Sequence, residues 1–223
     1  MEITTELNDG VALIRMDDGK MNAMTPAALD GVASALAAAT VQADAIVLAG
    51  RPGSFCAGFD RAVMTGSDDD AKAVLGRGGA RIAHALLTCS KPVVAASTGH
   101  AFTVGALWLM ACDLRFGERG EFKYAMTETI MGAVLSGWPM ALLESRVPAH
   151  LMTPIAVLSQ MRGPEDAVDA GYIDQVVEAG TAEAAAVAAA RDLAKLPQAA
   201  FAGNKRSVRR ATIERMEAEL ARL

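Results

Sequence analysis

Residues Ala45–Ala49 form an unbroken apolar run between Asp44 and Gly50. Its length and its Ile46-Val47 centre read as a strand buried on both faces, which commits the chain to a sheet covered on two sides. The run leads directly into RPGSFCAGFD, where Gly50, Pro52 and Gly53 supply a turn. Gly58, between Ala57 and Phe59, lets the backbone lie close against a neighbour. A strand that ends in a small-residue loop is where α/β proteins place ligands, and the N–H groups of such a loop can hold an anion or half of an oxyanion hole. An ordinary strand-to-helix turn uses the same residues, so this stretch alone leaves both readings open.

The surrounding chain builds the sheet that such a strand needs. Ile3–Leu7 and Val11–Met16 flank Asn8-Asp9-Gly10 and read as a hairpin. Thr25-Pro26 starts a helix as N-cap and first helical residue, with Leu29, Val32, Ala33 and Leu36 on one face. Ser67 and Asp68–Asp70 open a second helix to Leu87, which Gly76, Gly78 and Gly79 are expected to break or loosen. Pro92–Ser97 is a second buried strand, ending in Thr98-Gly99-His100, and an apolar helix follows over Val104–Ala111. Asp113–Phe116 gives a third parallel strand, and strand–helix alternation of this kind implies right-handed crossovers. From Trp138 onward the pattern is helical, over Pro139–Arg146, Ala149–Leu158, Pro164–Ala170, Thr181–Leu196 and Ala199–Leu223, with Tyr172–Val177 as an apolar connector.

Composition narrows the function classes. With 223 residues and 52% hydrophobic content, one domain with a small appendage is expected. Net charge is −5 and no Lys/Arg run dominates, which argues against nucleic acid as a partner. Cys56, Cys89 and Cys112 show no paired or zinc-type spacing, which fits a reduced, cytoplasmic setting and no metal site. The N-terminus lacks a basic-then-apolar signal pattern. The longest apolar stretch, Ala101–Cys112, falls short of the roughly 18 residues that read as a membrane span, so a soluble protein is expected.

The ordered set MNAM (Met21–Met24), IVLAG…SFCAGFD, KPVVAASTG (Lys91–Gly99), ACDLRF (Ala111–Phe116), TETIMG (Thr127–Gly132) and EDAVDAGYIDQVV (Glu165–Val177) resembles the crotonase family of enoyl-CoA hydratases and isomerases. The resemblance spans nearly the whole chain. It implies an α/β, ClpP-like spiral of ββα units over residues 1–137 carrying an acyl-CoA site, and a helical oligomerisation region over 138–223. It further implies a homotrimer or hexamer, and no cofactor beyond the CoA of the thioester.

The same resemblance implies site residues. Two backbone N–H groups hold the thioester carbonyl while an enolate forms. The first is that of Phe59, and the second is that of Val104 or of Gly105, where the family usually has consecutive glycines. CoA is expected across Lys20, Met21, Ala23, Ala57, Gly58 and Asp60, with Lys205 meeting its phosphates; a solvated basic helix face is the other reading of Lys205. Trp108 and Trp138 are pocket or core residues. His100 and Cys56 read as structural.

Hydratases of the family use two glutamates around one water. The first position falls on Leu107, which has no carboxylate, and the second on Glu128, four residues before Gly132 and flanked by Met126 and Ile130. Apolar surroundings raise a carboxyl pKa toward that of a useful base. One base facing an activated thioester is the pattern of a Δ3,Δ2-enoyl-CoA isomerase. A weak hydratase, a non-catalytic acyl-CoA binder, and a decarboxylase or thioester hydrolase are the alternatives. The nucleophilic aspartate of dehalogenase-type relatives falls near Ser136-Gly137, where this chain has none.

Overall fold

The chain begins with β1 (Glu2–Asn8) and β2 (Val11–Asp17), antiparallel in register from Glu2↔Asp17 to Asn8↔Val11. Asp9 and Gly10 between them have φ of 50° and 75°, the doubly left-handed turn that matches the twist of paired strands. This is a computed structural model, and it describes residues 1–135 and 137–223; the expectation placed on Ser136 lies outside the described residues.

β3 (Ala23–Met24) precedes α1 (Pro26–Gln42), whose N-cap Thr25 accepts from the Ala28 N–H. Then come β4 (Ala45–Ala49), β5 (Gly53–Cys56), β6 (Gly58–Phe59), the single turn α2 (Arg61–Met64) and the long α3 (Asp69–Thr88). β7 (Val93–Ser97) and β8 (Gly99–Phe102) lead into α4 (Val104–Ala111), followed by β9 (Leu114–Glu118) and β10 (Tyr124–Ala125). The remainder is α5 (Trp138–Arg146), α6 (Pro164–Asp169), β11 (Gln175–Val177), α7 (Ala182–Leu193) and α8 (Gln198–Leu220).

Six strands form the main sheet in the order β1-β2-β4-β7-β9-β11, parallel from β2 onward. Its two faces are sorted by the strand period of two. Ile46 and Leu48 of β4 face the core beneath α1, α3 and α4, whereas Ala45, Val47 and Ala49 face Ala182, Ala186 and Ala190 of α7. Both faces are therefore covered, as the unbroken apolar run requires. A three-stranded sheet, β10-β8-β5, and a two-stranded one, β3-β6, lie apart from the main sheet. They carry the loop after β4 and the approach to α4.

Several expectations change. The second helix is N-capped by Asp68, which accepts from the Ala71 N–H, rather than by Ser67. It runs unbroken through its glycines. A Cβ at position 78 would lie 2.7 Å from Leu29 Cδ1, and one at 79 would lie 2.6 Å from Phe59 Cζ and 2.9 Å from Val104 Cγ2. These two glycines let α3 press against α1 and against the loop after β5, and that packing offsets their cost of about 1 kcal/mol each in helix propensity. Ala149–Leu158 is not an α-helix but a 3₁₀ turn (Ala149–Leu151) and a π turn (Thr153–Val157), because Pro154 has no N–H for the α ladder. The connector Tyr172–Val177 contributes β11 as the sixth strand. No helix among the described residues is long and apolar enough to cross a membrane.

Candidate active site

The site begins where β5 and β6 meet the start of α4. Asn22, fully buried with φ 56°, donates through Nδ2 to the carbonyls of Met16, Ser54 and Phe55. Asp18 accepts from the amides of Lys20, Asn22 and Ala23. Arg51 Nη1 donates to Lys20 O at 2.7 Å, and Ser54 Oγ and the Ala57 N–H both donate to Met21 O. Lys20, Met21 and Ala23 are thereby held beside Ala57 and Gly58, with Ala23 opposite Gly58 in the β3–β6 register. Sequence reading named that loop but missed Asn22 and Asp18, the residues that fold it.

Phe59 lies opposite Met24, whose carbonyl accepts from the Asp60 N–H. In a parallel ladder the residue opposite such an acceptor turns its own N–H away from the partner strand, so the Phe59 amide is left facing out of the β3 pairing. Gly58, at φ 99°, makes this possible: a Cβ there would sit 2.4 Å from Thr103 Oγ1. The same Thr103 is the N-cap of α4, with φ 48° and no side-chain cap bond. Val104, Gly105 and Ala106 are the first three residues of that helix, and the ladder begins only with Leu107 N–H to Thr103 O. Their amides point out along the positive end of the helix dipole. Gly105 presses on Cys56, where a Cβ would meet Cys56 Cβ and O at 2.6 Å. The side chains of Phe59 and Val104 both pack on Gly79.

Glu128 arrives from the neighbouring strand. β8 and β10 run parallel with Phe102 opposite Ala125, and the Thr103 N–H donates to Ala125 O at 2.9 Å. Three residues beyond Ala125, Glu128 opens a turn whose carbonyl accepts from the Met131 and Ala133 amides and which closes at Gly132, φ 72°. Among the described residues, Glu128 Oε2 is buried without a hydrogen-bond partner. Burial pushes the carboxyl up to about 7, with the Glu128 and Thr127 amides pulling the other way. Met126 is fully buried, as expected of a desolvating neighbour, whereas Ile130 turns outward and is 62% exposed.

Other expected residues are placed elsewhere. Asp60 has a structural part as well: its Oδ1 accepts from the Ala62 and Val63 amides and caps α2. Trp108 is fully buried in the core, and its Nε1 donates to Gly79 O, so it backs Gly79 rather than lining an open pocket. Lys205 is buried, with Nζ 2.7 Å from Asp113 Oδ2 and 3.2 Å from Leu86 O. Burial draws its pKa down against the opposing Asp113 charge, and an ammonium so committed docks α8 rather than meeting a phosphate. Leu107 is buried apolar core. His100 lies within β8, accepts from the Lys123 N–H and stacks with Phe102, a structural part. The Cys56 thiol, fully buried, is pushed by burial up to about 12 and stays unreactive.

The family model described as enoyl-CoA hydratase/isomerase matches residues 6–222. A probable enoyl-CoA hydratase of Rhodobacter capsulatus is 29% identical over 98% of this chain and 85% of its own length. The human mitochondrial enoyl-CoA delta isomerase 1 is 25% identical over 77% of this chain and 57% of its own length. The crystal structure of the enoyl-CoA hydratase EchA3 from Mycobacterium ulcerans superposes with a TM-score of 0.94 at 30% identity, covering 98% of this chain and 96% of that one. The expected crotonase fold is thus the observed one, and the chain belongs to the enoyl-CoA hydratase/isomerase family.

Proposed function

We propose that this enzyme shifts the double bond of a 3-enoyl-CoA to the 2-position. The observation that carries the reading is the unpartnered, buried Glu128 carboxylate, combined with an apolar Leu107 at the other acid–base position. Glu128 removes a proton from C2 of the thioester, the electron pair moves onto the carbonyl oxygen, and the Phe59 and Val104 amides stabilise the resulting enolate. Collapse of the enolate re-forms the carbonyl as Glu128 returns the proton to C4, so no atom is gained or lost. A base that titrates near neutrality suits both transfers. Val104 is the second donor in this reading because it is the first residue of α4; the Gly105 backbone is spent on close approach to Cys56.

CoA lies across the Lys20–Ala23 and Ala57–Gly58 segments, and no further cofactor takes part. Exposed apolar residues Leu196 and Val208 at the C-terminal helices support assembly as a trimer or a dimer of trimers, and the cysteine usage supports a cytoplasmic setting. The test is turnover of 3-enoyl-CoA together with deuterium wash-in at C2 from heavy water. Wild type is expected to do both and Glu128→Gln neither. Wash-in that persists in Glu128→Gln would remove Glu128 as the base. Tight thioester binding with no exchange in the wild type would instead favour a non-catalytic acyl-CoA binder, the reading that Leu107 and Val104 otherwise support.

A further inference from the structure

Thr103 stands where β8 turns into α4, with φ 48° and ψ −116°. A positive φ is rare for a β-branched residue, and this pair of angles belongs to the first central position of a type II′ turn, where glycine sits without strain. The Thr103 backbone is fully used: its N–H donates to Ala125 O, and its carbonyl accepts from the Leu107 N–H. Its hydroxyl is not used. Thr103 Oγ1 makes no cap bond to the α4 amides, and it enters no hydrogen bond among the described residues. It occupies the place that a Cβ on Gly58 would take, with Thr103 Cβ 3.6 Å from that point. Thr103 is half-buried, and its hydroxyl is not one of the sealed, unpartnered atoms among the described residues, so an arriving group can reach it. Chain connectivity sets what lies on either side. Gly58 immediately precedes Phe59 and Thr103 immediately precedes Val104, so contact between Gly58 and Thr103 brings together the two peptide units that carry the expected donors. The hydroxyl sits at that junction.

We propose that the Thr103 hydroxyl is a third hydrogen-bond donor to the thioester oxygen, beside the Phe59 and Val104 amides. The role rests on those two amides forming the oxyanion hole. A threonine hydroxyl has one proton to give and rotates to suit its acceptor, so it can serve an oxygen held between its two neighbours. No proton changes hands: the bond tightens as the enolate forms and relaxes as the carbonyl returns. A charged acceptor makes such a bond shorter and stronger than a neutral carbonyl does, and that difference speeds the step instead of merely aiding binding. Branching at Cβ restricts χ1, and the missing Cβ of Gly58 gives the hydroxyl its room. No side chain of the first turn of α4 competes, since Val104, Gly105, Ala106 and Leu107 carry no polar group. A glycine at position 103 would relieve the positive φ and leave the Val104 amide in place, but it would supply no hydroxyl.

Three variants test the hydroxyl. Thr103→Val keeps the branched shape without it, Thr103→Gly removes it while relieving the backbone, and Thr103→Ser keeps it without the methyl. The probe is a saturated acyl-CoA with carbon-13 at the thioester carbonyl, which binds but has no double bond to move. In the wild type the carbonyl resonance should move downfield on binding, as the donors polarise it. The movement should be smaller in Thr103→Val and Thr103→Gly and retained in Thr103→Ser. Turnover of 3-enoyl-CoA should follow, with kcat falling about 10²-fold in the first two variants and KM changing little. Thr103→Gly adopts φ 48° without strain, so its result stands even if Thr103→Val folds poorly. Equal losses in Thr103→Ser would point to packing of the methyl and overturn the proposal. If the wild-type carbonyl moves and both hydroxyl-free variants match it in shift and kcat, the threonine proposal alone is wrong. If the wild-type carbonyl does not move, the Phe59–Val104 hole fails and the third donor fails with it. Glu128→Gln should keep the carbonyl shift, which separates this test from the assignment of the base.

Discussion

At its C-terminal end, helix α4 hands its carbonyls to two arginines; at its N-terminal end it keeps its amides to itself. Arg146 donates to Met110 O and Cys112 O, and Arg209 donates to Ala111 O and Cys112 O, all within 3.0 Å. Asp113, the next residue, takes Lys205 and Arg209 and accepts from the Val93 N–H. Every buried charge at that end has a partner. At the other end Thr103 caps nothing with its side chain, and the nearby Glu128 Oε2 is buried and alone. Burial with pairing makes a joint that holds α8 and α5 to the core. Burial without pairing costs stability, and in the proposed mechanism it leaves donors and a base for the substrate. On that reading the two ends of one eight-residue helix divide structure from chemistry.

That division can be broken experimentally. Glu128→Gln should lower 3-enoyl-CoA turnover by about 10²–10⁴-fold while leaving the melting temperature unchanged or raised; a large loss of stability would show that the carboxylate is structural after all. Asp113→Ala should do the reverse. It strands Lys205 and Arg209 in a buried position and should cost about 3–5 kcal/mol in chemical denaturation, with the folded fraction retaining its kcat. Gly58→Ala tests the seam between the loop and the helix start. Strain at φ 99° and the Thr103 Oγ1 contact should cost about 1–3 kcal/mol, and kcat and CoA affinity should both fall.

A further effect is one of pH. The folded Glu128 carboxyl titrates near 7 instead of at its ordinary 4.5, so the fold binds that proton more tightly than the unfolded chain does. Its contribution to stability is complete below about pH 4.5 and is lost as pH rises through about 7. Activity, which needs the ionised base, should rise over the same upper range. Denaturation from pH 4 to 8 should therefore show the wild type losing stability relative to Glu128→Gln as pH rises, with the difference levelling off above 7.

The parallel sheet, the hairpin and the start of α4 were legible because their signals are local: an apolar run, a turn pair, a capping residue. The family followed from six motifs in order. Gly78 and Gly79 were misread because helix propensity counts a glycine as a loss, whereas packing against Leu29, Phe59 and Val104 turns the missing Cβ into a fit. Lys205 looked like a ligand contact because a charged side chain carries no sequence mark of its partner.

By itself the sequence determined a two-sided parallel sheet and the loop after Ala45–Ala49, since those depend on period and chain direction. Only the tertiary structure decided which charges are neutralised and which are left waiting. Pairing is set by residues far apart in the chain, such as Asp113 with Lys205, and by their absence around Glu128.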